Sequence, residues 1–185
     1  MIHFTSDTHW GHKNIIQYSK RPFSSVEDMN EALIKNWNDR VGQYDTVYHL
    51  GDFAFMPYDD LKKTARRLNG IKHLIRGNHD KEIMKNKNDL LASRTFASIQ
   101  DYYELKHEGA HIILFHYGQR VWNKSHHGSI MLYGHSHGSL PPFGKSVDVG
   151  VDCKEITEEY RPVSFDEVIS YMKKREFVAV DHHDD

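Results

Sequence analysis

Five short stretches of the chain hold residues able to bind metal ions: Asp7-Thr8-His9, Gly51-Asp52, Gly77-Asn78-His79-Asp80, His116 and Gly134-His135-Ser136-His137. Each follows a run of apolar residues that reads as a β-strand. Strand ends that deliver Asp, His and Asn to one place suit a pair of divalent cations about 3.5–4 Å apart, which can clamp the attacking and leaving oxygens of a phosphoryl transfer. Two such cations repel and need an anion between them. Asp52 is the natural bridge, because Gly51 lets the backbone turn tightly beside it. In extended backbone, residues i and i+2 point the same way, so Asp7 with His9, and His135 with His137, are each expected to reach one bimetal centre. Mixed oxygen and imidazole ligands suit Mn, Fe, Ni, Zn or Co better than Ca or Mg. Cys153, the one cysteine, lies away from these stretches and leaves no soft thiolate site.

A lone D-x-H is more simply a helix cap beside a surface histidine. Five blocks in this order are far more specific. Together they resemble the calcineurin-like metallophosphoesterases, whose pattern is D-x-H, GD, GNH(D/E), H and GHxH. The resemblance implies a four-layer α/β/β/α sandwich with the site at the strand carboxyl ends. It implies that metal one takes Asp7, His9, Asp52 and His137, and metal two takes Asp52, Asn78, His116 and His135. A bridging hydroxide would be the nucleophile and Mn²⁺ the expected ion. His79, not a ligand in the family, is then placed to donate a proton to the leaving oxygen. The stretches Asp7 to Ile15, Trp122 to Ser129 and Val149 to Asp152 further resemble small phosphoesterases of bacteria and their phages.

Around this core, roles divide between catalysis and simple structure. Asp80 is expected to orient the His79 imidazole, or to cap the helix that starts at Lys81. Arg76 can reach a phosphate oxygen bidentately or serve as a surface ion-pair partner. His12 is expected to contact substrate phosphate, and Asn14 either does so or caps a helix. His126 and His127 are expected to line the substrate cleft, and Trp122 either stacks on a base or packs.

The elements that must position these residues are legible from periodicity. Met1 to Thr5, Thr46 to Leu50 and Ile71 to Ile75 read as strands ending at motifs. Val26, Met29, Leu33, Trp37 and Val41 mark one apolar helix face, opened by a capping box with Ser24 at the N-cap and Glu27 at N3. Leu61 to Leu68 is a second helix, stopped by Asn69-Gly70. Ser98 to Lys106 and His111 to Phe115 read as a hairpin around Glu108-Gly109. Ile130 to Tyr133 and Ser146 to Val151 are further strands. Ser164 to Glu167 forms a second capping box before a helix with Val168, Ile169 and Met172 inward. Phe177 to Val180 is expected to close a sheet edge, and Cys153 to Tyr160 looks longer than the usual family join.

The chain has 185 residues, 38% hydrophobic and 27% charged, with 15 histidines and a net charge of −2. That fits one domain over residues 1–180 with a polar tail at 181–185. The charge supplies no global basic field for DNA or an acidic membrane. No apolar run suggests a signal peptide or a transmembrane helix, and one cysteine suits a reducing cytoplasm. The reading is a metal-dependent phosphoesterase acting on a small phosphoester, with diesters favoured and a nucleotide or nucleic-acid end among the candidates. No obligate protein partner is expected. The rivals are a phosphomonoesterase or protein phosphatase, and a non-catalytic scaffold of the same fold.

Overall fold

The structure, a computed structural model, describes residues 1–157 and 159–179. The expected tail at 181–185 lies outside the described residues. Two sheets face one another. The first has the order β4-β3-β2-β1-β9, and the second β5-β6-β7-β8. In the first, β1 (Ile2–Thr5), β2 (Thr46–His49), β3 (Ile71–Ile75) and β4 (Ser98–Gln100) run parallel. The short β9 (Val163–Ser164) pairs antiparallel with β1. In the second, β5 (Tyr102–His107) and β6 (Ala110–Phe115) form the expected hairpin. Then β7 (Ile130–Tyr133) and β8 (Ser146–Asp148) follow parallel to β6.

The sequence pattern merged β4 and β5 into one strand. The structure breaks that run at Asp101, and the two pieces join different sheets. Only Asp101 separates the two pieces, so periodicity alone had no signal for the change of partner.

Helices cover the outer face of the first sheet: α1 (Ile15–Tyr18), α2 (Val26–Arg40), α3 (Tyr58–Arg67), α4 (Lys81–Lys85) and α5 (Lys87–Ala92). Met29, Leu33 and Trp37 of α2, with Leu61 and Ala65 of α3, pack on Val47, Leu74 and Ile99 of the strands. The N-cap of α2 is Ser25, not Ser24: its side chain accepts from the Asp28 N–H, while Ser24 bonds the Asp28 carboxylate. Adjacent serines present the same capping signal one residue apart. The second capping box is as expected, with Ser164 and Glu167 exchanging bonds at the start of α6 (Phe165–Met172).

Between the sheets lies a second core. Phe4, Leu50 and Ile75 meet Leu105, Ile112, Leu114 and Leu132, and Val168 and Met172 of α6 join them. The alternate residues Ile113, Met131 and Tyr133 point to the other face of the second sheet, where Trp122 and Phe143 cover them. Two sheets flanked by helices bear out the α/β class. The expected edge strand at 177–180 is not formed over Phe177, Val178 and Ala179, and Val180 lies outside the described residues.

Parallel strands give the fold its functional end. β1, β2, β3, β6 and β7 all point the same way along their sheets, and each carries its motif just past its carboxyl end. That is where open α/β sheets place ligands.

Candidate metal centre

Ligand-type atoms gather in two groups, Asp7 with His9 and His137, and Asp52 with His116 and His135, each with its atoms within 4.8 Å of one another. Asp52 joins them. Its Oδ2 lies 3.7 Å from His9 Nε2 and 3.5 Å from His116 Nε2. Asn78 Oδ1 sits 3.0 Å from His116 Nε2, adding the oxygen expected of the second group.

The backbone that makes this possible is not extended. Asp7, His9, Asp52, His135 and His137 all have left-handed φ, from 48° to 65°. The expectation that alternating strand geometry aims the D-x-H and H-x-H pairs is therefore corrected. The chain leaves its strands before these residues, and left-handed turns fold the side chains inward. Non-glycine residues held so carry strain, which clusters at functional sites. Glycines supply the room. A Cβ on Gly51, itself at φ 100°, would lie 2.6 Å from the Gly77 nitrogen. A Cβ on Gly134 would lie 2.0 Å from Ser6 Oγ and 2.5 Å from Asp7 Oδ2.

Hydrogen bonds behind the ligands fix which atoms face forward. Asp7 Oδ2 accepts from the His135 N–H at 2.9 Å, and Asp52 Oδ1 accepts from the His79 N–H at 2.8 Å. That leaves Asp7 Oδ1 and Asp52 Oδ2 for the centre. His116 Nδ1 donates to the Leu50 carbonyl at 2.7 Å and His137 Nδ1 to Asp152 Oδ2 at 2.7 Å, so both present a bare Nε2. Such outer partners set the tautomer and basicity of metal-binding histidines. Asp7 Oδ1 and His9 Nε2 are buried with no hydrogen-bond partner. Buried polar atoms are normally satisfied. Two orphans facing one point, among oxygen and imidazole donors, fit a bound cation.

The electrostatics agree. Burial pushes the Asp7 carboxyl up to about 7. Burial alone would raise Asp52 too, but the His116 hydrogen bond and the His79 N–H outweigh it and hold that carboxyl low. His9 is lowered by burial. For His116 and His137, burial pulls downward, yet bonds to Asp52 and Asp152 respectively win and raise them. An unscreened buried acid and buried imidazoles make a site that gains from a positive ion.

Known proteins resemble this chain in sequence and fold. A family model for the calcineurin-like phosphoesterase superfamily domain matches residues 1–144. The chain belongs to this superfamily. It is 35% identical to an uncharacterised protein of Methanocaldococcus jannaschii, covering 96% of this chain and 94% of that one. It is 28% identical to the gene 66 protein of Mycobacterium phage D29, covering 82% and 88%. Among solved structures, a protein of unknown function from Aquifex aeolicus superposes with a TM-score of 0.69 at 26% identity, covering 92% and 98%. An archaeal phosphodiesterase shares the fold at a TM-score of 0.52 and 21% identity, covering 84% and 87%. The protein is thus a metal-dependent phosphoesterase that acts on phosphoester substrates, with two groups of residues able to hold a metal ion.

The remaining expected residues of the phosphoesterase fall in different places. His79 is exposed beside the centre, its ring 5.6 Å from that of His9. His12 is close as well, with Nδ1 3.4 Å from His9 Nδ1. Asn14 precedes α1 without a side-chain capping bond. Arg76 pairs with Asp101 at 2.8 Å, the ion-pair alternative, while lining a cleft beside Asn78. Trp122 is buried and donates to the Ser129 carbonyl, so packing is its role.

Two expectations are corrected. Asp80 stands at the N-cap of α4, but its side chain makes no capping bond there and is not turned to His79. Buried, it accepts from the backbone N–H groups of Asp52, Phe53 and Gly77 at 2.8–3.0 Å, clamping two motif loops together. His127 is not at the centre. It precedes β7, whereas His135 follows it, so the two lie at opposite ends of the sheet. His127 lines a cleft at the β5–β6 hairpin with His111 and Lys124.

Sequence reasoning missed Arg21, Asp152 and His49. Arg21 is buried, bonds both oxygens of Asp152 at 2.7 and 2.8 Å, and donates to the Asp7 and Thr8 carbonyls at 2.7 and 2.9 Å. It ties the first motif to the carboxylate that holds His137. His49 Nε2 meets Thr8 Oγ1 at 2.9 Å and its Nδ1 accepts from the Gly51 N–H at 3.2 Å. Burial pushes this imidazole down to about 3, so it is a neutral strut. Asp152 stood in a quoted stretch, but nothing in spacing singled out its partner 131 positions away.

Proposed function

We propose that this phosphoesterase is a dinuclear enzyme that hydrolyses phosphodiesters, built as one domain over residues 1–180 and working in the cytoplasm. The observation that carries the reading is Asp52 Oδ2, set between His9 Nε2 and His116 Nε2 at 3.7 and 3.5 Å. Asp7, His9, Asp52 and His137 would hold one ion, and Asp52, Asn78, His116 and His135 the other. The mixed oxygen and imidazole donors favour Mn²⁺, with Fe, Ni, Zn or Co as alternatives. Bound, the ions supply charge neutralisation at phosphate and a hydroxide nucleophile at neutral pH.

The chain's own groups do the rest. The His79 N–H fixes Asp52, while its imidazole, exposed on the cleft side, gives a proton to the leaving oxygen. The diester preference is supported by clefts on both sides of the centre. One of about 420 Å³ runs past Arg76, Asn78 and Tyr117. The other, of about 660 Å³, runs past His9, His12, Phe55 and His79. Two organic arms on one phosphorus need two such clefts, with Arg76 and His12 as the phosphate contacts. The test is the rate on bis(4-nitrophenyl) phosphate against 4-nitrophenyl phosphate with metal-reconstituted protein, alongside elemental analysis. Two metals per chain and a higher kcat/KM for the diester are expected. One metal at full activity overturns the dinuclear reading, and a monoester preference overturns the diester.

A further inference from the structure

We propose that the cavity behind Phe55 is a subsite for a nucleobase on one arm of the substrate; this deepens the phosphoester reading of the adjoining centre and rests on it. Phe55 is placed as a platform. Its N–H donates to the Trp10 carbonyl at 2.8 Å, and Ala54 bridges Trp10, so its backbone is pinned to the first motif. Two residues earlier, Phe53 is fully buried against Trp10. The Phe55 ring, in contrast, is 50% exposed and serves no core.

Histidines of the site hold that ring. One face stacks on His12, with centroids 4.5 Å apart at 20°, and His79 meets it edge-on at 5.5 Å. The ring so divides the metal-side cleft from a cavity of about 440 Å³ that also contains Met56, Pro57, Lys81 and Glu82. His79 borders both. A group bonded to the phosphate at the centre can therefore pass His79 and lie beyond Phe55.

The lining selects a flat, hydrogen-bonding ring. Phe55, Met56 and Pro57 form an apolar surface, and every nucleobase has a π-face that stacks on such an aromatic. Lys81 offers donors and Glu82 an acceptor, the two kinds of partner a base edge requires. One Glu82 oxygen already accepts from Asn86 Nδ2 at 2.9 Å, which steadies the carboxylate. An acyl chain would use neither charge. Since the ring is already held on two sides, little side-chain freedom remains to be lost on binding.

The test is calorimetric binding of adenosine 5′-monophosphate and ribose 5-phosphate to metal-loaded full-length protein. The two share a phosphate and a sugar and differ in the base. The wild type should bind the nucleotide at least about tenfold tighter, within the span of base–aromatic stacking. Phe55→Ala should remove that preference, and Phe55→Trp should keep it. Metal content and melting temperature of each variant check that the fold is intact. Equal affinity of the wild type for both ligands, or a preference that survives Phe55→Ala, overturns the subsite. Neither result bears on the diester reading, which is decided by the two nitrophenyl esters.

Discussion

The two halves of the proposed metal centre are built differently. Asp7 and His9 are buried, and His137 is braced by Asp152 and Arg21. Across Asp52, His116 is buried, but His135 and Asn78 are exposed and sit among other site residues, with the Tyr117 ring edge-on to His135 at 4.7 Å. One half is prearranged by the fold's interior, and the other opens to solvent. Prearranged ligands cost less to order on binding, so the ions of the two halves should differ in affinity.

The change with the largest expected effect removes the joint between the halves. Asp52→Asn should lose both ions and nearly all activity, more than any ligand belonging to one half. Activity and metal content together measure this, and a variant that keeps two metals would break the comparison. Next is His79→Ala, which should keep both ions but lose roughly 10²–10⁴-fold in turnover with an alkoxide leaving group. With nitrophenolate, which leaves as an anion, the loss should be much smaller. Metal loss, or equal slowing of both substrates, removes the proton-donor role.

A smaller effect sharpens the asymmetry. Asp152→Asn should weaken the ion of the buried half by roughly 10–100-fold, the range for outer partners of metal histidines, and spare the other ion. Competition with a fluorescent chelator reads this directly.

The pH dependence of the metal-free protein has a definite sign. His49, pushed down to about 3, and His9, also lowered, stay neutral when folded but take up protons near 6.5 when unfolded. The unfolded state then binds more protons, so their contribution to stability is lost as pH falls below about 6.5. Asp7 acts oppositely. Held up to about 7, it keeps its proton in the fold over a range where the unfolded chain has released it, so its contribution falls as pH rises toward 7. Metal binding must displace that proton. The rise in melting temperature on adding Mn²⁺ should therefore grow between about pH 5.5 and 7.5. A metal effect that does not vary with pH would contradict the buried state of Asp7. The smallest effect belongs to His127→Ala, which should leave turnover and metal content unchanged, since His127 sits at the far end of the sheet.

The asymmetry also explains what the sequence could reveal. Ligand types and their order after strands were legible, because a metal site demands specific atoms and parallel strands deliver them to one end. Most elements were legible for the same reason, since apolar periodicity reports directly on burial in α2 and α6. Three things were hidden. The left-handed backbone at Asp7, His9 and His137 has no glycine to announce it. The partnership of Arg21 with Asp152 joins residues far apart in the chain, and a buried arginine looks like a surface one in a string of letters. The split between β4 and β5 is a choice of partner strand, which is decided by packing between the sheets and not by either segment.

The central claim is a pair of ions shared through Asp52 and held unequally. Stepwise chelator titration of the Mn²⁺-loaded protein, followed by native mass spectrometry, tests it most directly. The expected course is a species with two metals, then a populated species with one, with Asp152→Asn narrowing the gap between the steps. A loaded active protein carrying one metal, or loss of both ions in a single step unaffected by Asp152→Asn, would contradict it.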